Sequence, residues 1–71
     1  MEINLVLRGA IAEKQRTTIE IAEAIGISRQ NLSKKLNGHL PFTYDELVKA
    51  SAELGLPMIE LVRRAQQLEV A

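Results

Sequence analysis

The 71-residue chain has no cysteine and one histidine, His39. That excludes disulfides, thiolate zinc sites, paired-histidine metal sites and any Ser/His or Cys/His catalytic pair. Nine basic and nine acidic side chains leave no net charge, and no apolar run approaches the length of a membrane span. Nor do the first residues form the basic-then-apolar pattern of a signal peptide. A single cytoplasmic domain over residues 1–71 is therefore expected, with no cofactor and no metal. A chain of this size buries only about 60% of the surface it exposes when unfolded, so its fold must be economical.

Ile3, Leu7, Ala10 and Ile11 recur at helical spacing and predict a first helix over residues 2–14. Gly9 weakens it slightly, because an interior glycine costs about 1 kcal/mol against alanine. Thr17, with Glu20 three residues on, is a capping box that opens a second helix. Ile21, Ala22 and Ile25 line its inner face, Ile19 and Ala24 lie on its outer side, and Gly26 ends it by accepting a left-handed backbone. Ser28 caps a third helix in which Leu32 and Leu36 stand one turn apart, and Asn37-Gly38 terminates it.

After the loop His39-Leu40-Pro41, Thr43 and Glu46 form a second capping box. Phe42 and Leu47 are spaced around it as a hydrophobic staple. Leu47, Val48, Ala50, Ser51 and Leu54 carry the fourth helix to Gly55, with Tyr44 expected half-buried at its start. Pro57 opens the fifth helix, where its missing amide hydrogen costs nothing. Met58, Leu61, Val62, Ala65 and Leu68 form that helix's apolar face. Sustained alternation is absent, so the predicted fold is all-α, a compact bundle of five short helices.

The charges are unevenly placed. Residues 1–23 carry four acids and three bases, and residues 45–71 carry five acids and three bases. Between Ala24 and Tyr44 no acid occurs, while Arg29, Lys34 and Lys35 supply three positive charges. A charge run by itself is usually a solvated face. Here it falls on the stretch TTIEIAEAIGISRQNLSKKLNG, in which a helix, a glycine turn and a second helix follow one another. Ala22 is small where two helices must cross, Gly26 permits the sharp turn, Ile27 caps the corner of the core, and Leu32 anchors the next helix against Ile21 and Ile25. This spacing suits a helix-turn-helix, whose second helix packs its apolar side and offers its polar side to base edges.

The pattern Ile21-Ala22-x-x-x-Gly26-Ile27-Ser28, then Leu32, then Asn37-Gly38, resembles the phage repressor/Cro-like (XRE-like) helix-turn-helix family. The stretch LVKASAELGLPMIEL resembles that family's fourth helix, glycine break and fifth helix, so the likeness covers most of the chain. The resemblance implies a lambda-repressor-like DNA-binding bundle with residues 29–36 as its recognition helix. Arg29, Gln30 and Lys34 then face bases, with Asn31 and Ser33 nearby. Arginine or lysine can donate to guanine O6 and N7, and glutamine can pair with adenine N6 and N7. Thr17, Thr18, Ser28, Asn37 and Thr43, with the free amides that open helices two and four, would hold phosphates. Lys35 is expected at a phosphate, because it lies around the helix from Lys34.

Three positions depart from the family. Thr18 stands where glutamine often clamps a phosphate. Ile11 and Leu36 stand where an arginine and a glutamate often pair; both change together, so no charge is stranded, and such an exchange is often neutral or stabilising. Lys35 stands where an apolar residue is common, so either Leu36 compensates or the helix rotates slightly.

The implied function is sequence-specific binding of double-stranded DNA as a transcriptional regulator, a repressor by family type. The alternative is a protein-interaction module, such as an antitoxin or regulatory subunit, that uses the same fold through its fifth helix. A purely structural bundle is a third reading, supported by the neutral net charge. Glu20 and Glu23 lie near each other without nucleophile, metal ligand or pocket, so no enzyme is expected. His39 reads as an ordinary loop residue and Met58 as core. Ile59, Leu68 and Val70 either form a two-fold dimer interface through the C-terminal helix or belong to terminal turns packed on helix one.

Overall fold

A computed structural model describes residues 2–70, with side chains as far as Leu68. Its five helices are α1 (Ile3–Glu13), α2 (Thr18–Ile25), α3 (Arg29–Leu36), α4 (Tyr44–Leu54) and α5 (Met58–Val70). No strand occurs among the described residues. Local chemistry accounts for most of the boundaries. At the start of α2 the Thr17 hydroxyl accepts from the Glu20 amide at 3.1 Å, and the Glu20 carboxylate accepts from the Thr17 amide at 2.8 Å. Thr43 and Glu46 repeat the same reciprocal pair at the start of α4. Ser28 caps α3 by accepting from the Asn31 amide. Each such cap satisfies amides that a helix start otherwise leaves unpaired.

Gly26 closes α2 at φ +89°, and the Gly26 and Ile27 amides both return to the Ala22 carbonyl. The chain thereby reverses within three residues and begins α3. The first connection uses the same left-handed device without a glycine: Gln15 stands at φ +56°, a conformation the sequence does not signal.

The core draws on every helix. Leu7, Ile21, Leu32 and Leu61 are the large side chains removed from solvent, one each from α1, α2, α3 and α5, while α4 adds Ala50 and Leu54. Full burial of such a side chain is worth about 1.5–3 kcal/mol. Ile27, Phe42, Leu47 and Met58 pack partly buried around this centre, as their spacing predicts. The one buried polar side chain among the described residues, Ser51, donates its hydroxyl to the Val48 carbonyl at 2.8 Å. Ile11 and Leu36 are both buried and line one cleft.

Tyr44 departs from expectation. It is 73% exposed, because the staple residues Phe42 and Leu47 take the inner positions and leave the first residue of α4 pointing outward. Leu68 is also only half covered, beside Leu5, Val6 and Gly9 of α1. Val70 lies beyond the described side chains.

α1 packs against α3 and α5, α2 against α3 and α4, and α4 against α5. α3 is thus held from one side, and its opposite face stays open. The radius of gyration is 11.0 Å, matching the roughly 11 Å expected for a compact chain of this length.

Two outcomes follow from these caps. Gly26→Ala should lower stability by about 1–2 kcal/mol through backbone strain alone, since an added Cβ meets nothing within 4 Å. Chemical denaturation checks it, and unchanged stability would contradict the strained turn. The second outcome concerns acid. Hydrogen bonds from the Thr17 backbone and side chain hold the Glu20 carboxyl below the ordinary value of 4.5. Burial pushes the Glu46 carboxyl up, but hydrogen bonds from Lys35 and from Thr43 outweigh it and leave it lowered as well. A carboxyl lowered in the folded state adds stability above its unfolded value, and this is lost as pH falls through the folded value. The melting temperature should therefore fall as pH drops below about 4.5, and fall less in Glu46→Gln. A Glu46→Gln curve parallel to that of the parent chain would refute this role.

Candidate nucleic-acid interface

The open face of α3 follows from its two buried leucines. With Leu32 and Leu36 turned into the core, the 3.6-residue repeat sets Lys34 opposite them, Gln30 and the C-cap Asn37 on the outward side and Ser33 at its edge, while Arg29, three residues before Leu32, is open to solvent in the first turn. All five are exposed, and Asn31 is exposed on the flank nearer Lys35. The structure thus brings the five residues expected at base edges onto one helix. Among the described residues neither Arg29 nor Lys34 takes part in an ion pair within the chain.

The helix termini differ in sign. The first turn of α3 holds no acid, and Ser28 caps only the Asn31 amide, which leaves the Arg29 and Gln30 amides facing outward. Its last turn holds Lys34 and Lys35, which complement the negative end of the helix dipole. The starts of α2 and α4 carry acids instead, Glu20 in one and Asp45 with Glu46 in the other. Glu20 and Glu46 each take the N-cap amide, of Thr17 and of Thr43, that a phosphate would otherwise reach. The hydroxyls of Thr17 and Thr43 accept from backbone amides, and each keeps its proton for donation to an outside acceptor.

Arg16 offsets the charge at the start of α2. Its guanidinium bonds Glu53 of α4, which raises its pKa above the ordinary value, and it also lies 3.4 Å from Glu20. Thr18 sits half-buried next to it, in a cleft lined by Arg8, Ile11, Ala12, Arg16 and Leu36.

Lys35 is placed against its expected phosphate role. Its ammonium donates to Glu46 at 2.8 Å and to the Pro41 carbonyl at 3.0 Å, and it lies 5.9 Å from the centre of the Phe42 ring. Only 12% of its side chain is exposed. The lysine's methylene stem is thus buried and its ammonium ends on a carboxylate from α4. Leu36 takes the apolar place beside it. The positive charge available on this face therefore comes from Arg29 and Lys34.

Sequence reasoning missed two residues that shape the face. Glu46 was visible as a capping residue but not as the partner of Lys35, eleven residues away. Asn4, in the first turn of α1, donates from Nδ2 to the Leu36 carbonyl at 3.3 Å and steadies the end of α3. No motif announces either contact, because each joins separate helices.

Among the described residues no group of His, Asp or Glu side chains could hold a metal ion. No described helix is long and apolar enough to cross a membrane. In comparisons with known proteins, no curated protein and no solved structure matches the chain. One family model does match, over residues 5–64, a span that runs from α1 into α5 and includes the whole exposed face of α3. The chain belongs to that family, described as Protein of unknown function (DUF739).

Proposed function

We propose that the protein is a sequence-specific DNA-binding regulator of lambda-repressor-like type, a repressor by preference, that reads the major groove with α3. The observation that carries this reading is the exposed set Arg29 and Gln30 in the first turn, with Ser33 and Lys34 a turn later, on a helix that buries Leu32 and Leu36. That set lies in the acid-free stretch of an otherwise neutral chain, which gives the face a positive field while the rest of the surface balances. A short α3 with a three-residue turn behind it is of a size to enter a groove about 12 Å wide.

Arg29 and Lys34 donate to guanine, and Gln30 pairs with adenine by donating to N7 and accepting from N6, with Asn31 and Ser33 at adjoining edges. Thr17, Thr18, Ser28, Asn37 and Thr43 support the duplex through its phosphates, joined by the outward amides of Arg29 and Gln30. Lys35 is left out of the contact set, since its charge is neutralised by Glu46.

A second copy of the chain would supply the second half-site of a two-fold operator. On α5, Ile59 and Leu68 stand nine residues apart, which is two and a half turns, so they face opposite ways. Leu68 lies over the α1–α5 groove, whereas Ile59 is 68% exposed. The side of α5 that carries Ile59 is the face proposed for self-association.

The test is binding to labelled duplex DNA by fluorescence anisotropy over a salt series, followed by selection of a preferred site. Affinity should fall steeply with salt, and Lys34→Ala should flatten the slope of log K against log salt concentration by about one unit. On the selected site, Arg29→Ala should cost about 1–3 kcal/mol and relax preference at one base pair. No binding at low salt, or a site preference untouched by Arg29→Ala, would remove α3 as the reading helix.

A further inference from the structure

The contact between Lys35 and Glu46 differs from the other ion pairs of the chain. In the other described pairs each side chain is 26% exposed or more, whereas those of Lys35 and Glu46 are only 12% and 14% exposed. A single carboxylate oxygen, Oε1 of Glu46, accepts from Lys35 at 2.8 Å and from the Thr43 amide at 2.9 Å. Lys35 belongs to the last turn of α3, and Thr43 is the cap of α4. The same ammonium also holds the Pro41 carbonyl and lies near the Phe42 ring. One carboxylate thus ties the end of one helix, the middle of a loop and the start of the next helix.

The loop is gripped from its other side as well. Asn4 donates to the Leu36 carbonyl, and a Cβ at Gly38 would stand 3.3 Å from the Asn4 amide nitrogen. Gly38 also holds φ +82°, so the chain turns tightly where it passes α1. Residues 37–43 therefore have little freedom to swing. Asn37 and Thr43, both exposed and both assigned to phosphates above, stand at the two ends of this segment.

We propose that Glu46 is a positioning residue of the DNA interface: through Lys35 and the Thr43 amide it fixes Asn37 and Thr43 relative to the reading face of α3. This rests on the DNA-binding reading above. In it, the Lys35 charge is an internal tie that contributes no phosphate neutralisation. Removing one member of a desolvated pair strands the other, while removing both leaves no charge without a partner.

The experiment uses the full chain and a labelled duplex of random sequence, read by anisotropy over a salt series. The variants are Lys35→Met, Glu46→Gln, the double variant, and Lys34→Ala for comparison, each checked for folding by circular dichroism at the assay temperature. Lys35→Met keeps the apolar stem, and Glu46→Gln keeps an oxygen for the Thr43 amide. Both should weaken binding roughly tenfold, as two hydrogen-bonded phosphate contacts of ordinary strength loosen. The salt slope of Lys35→Met should equal that of the parent chain, whereas Lys34→Ala should flatten it by about one unit. The double variant should bind no more weakly than the weaker single variant, because one tie is cut only once. Should a single variant fail to fold, the double variant still decides, by the same loss of affinity at an unchanged slope.

A Lys35→Met slope flattened by about one unit, or tighter binding by Glu46→Gln, would make Lys35 a phosphate ligand for which Glu46 competes, and would overturn the inference. Full affinity in all three clamp variants would overturn it too, while leaving the DNA-binding reading intact. Failure of the parent chain to bind duplex DNA at low salt would end both.

Discussion

Leu32 has no exposed surface, and it lies on a helix that packs against both α1 and α2. With Leu36 a turn later, it determines how α3 is rotated about its own axis, and so which side chains meet solvent. A helix of eight residues has little stability of its own in water. Its existence depends on burying this apolar edge, and its polar face is a consequence of the same burial. Ile21, Ala22 and Ile25 of α2 provide the surface that receives it, and Gly26 brings the two helices together within a short turn.

Around that contact the remaining helices act as a brace. α1 supports α3 through the core and through Asn4 at its last carbonyl, while α4 is tied to α3 by the Lys35–Glu46 pair and to the α1–α2 connection by Arg16 and Glu53. Such cross-links matter in a chain with no cysteine to form disulfides and a small core. They also hold a presented surface more firmly than packing of short helices would. The proposed interface uses this rigidity. Side chains that read base edges must arrive in a fixed register, and phosphate contacts at either end of the reading helix set that register.

The electrostatics show the same division between local and long-range causes. Three basic residues in an acid-free stretch suggest a positive surface over all of α3. Folding brings Glu46 of α4 onto one of them, so the positive field narrows to Arg29 and Lys34. Glu20 and Glu46 cap their helices at the same time as they add negative charge there, which sets the starts of α2 and α4 apart from the start of α3. The face proposed for DNA is thus bounded by carboxylates that already have partners, and its cations Arg29 and Lys34 enter no ion pair among the described residues.

Element order, helix type and most helix ends were legible in the chain itself, because they depend on neighbours three or four residues apart. The Thr17–Glu20 and Thr43–Glu46 boxes, the Ser28 cap and the left-handed Gly26 are all of this kind. The inward leucines of α3, and hence the outward Gln30 and Lys34, follow from the same local period, while Arg29 owes its exposure to its place in the first turn. What neighbours alone could not decide was any relation between helices. Tyr44 turns outward because Phe42 and Leu47 claim the inner positions, and Leu68 lies half covered on α1. Lys35 meets Glu46, and Asn4 meets Leu36, across sequence separations of 11 and 32 residues. A lysine at the edge of a helix can reach water, a phosphate or a carboxylate with the same side chain. Which of them it meets depends on where another helix comes to rest, and only the packed core determines that.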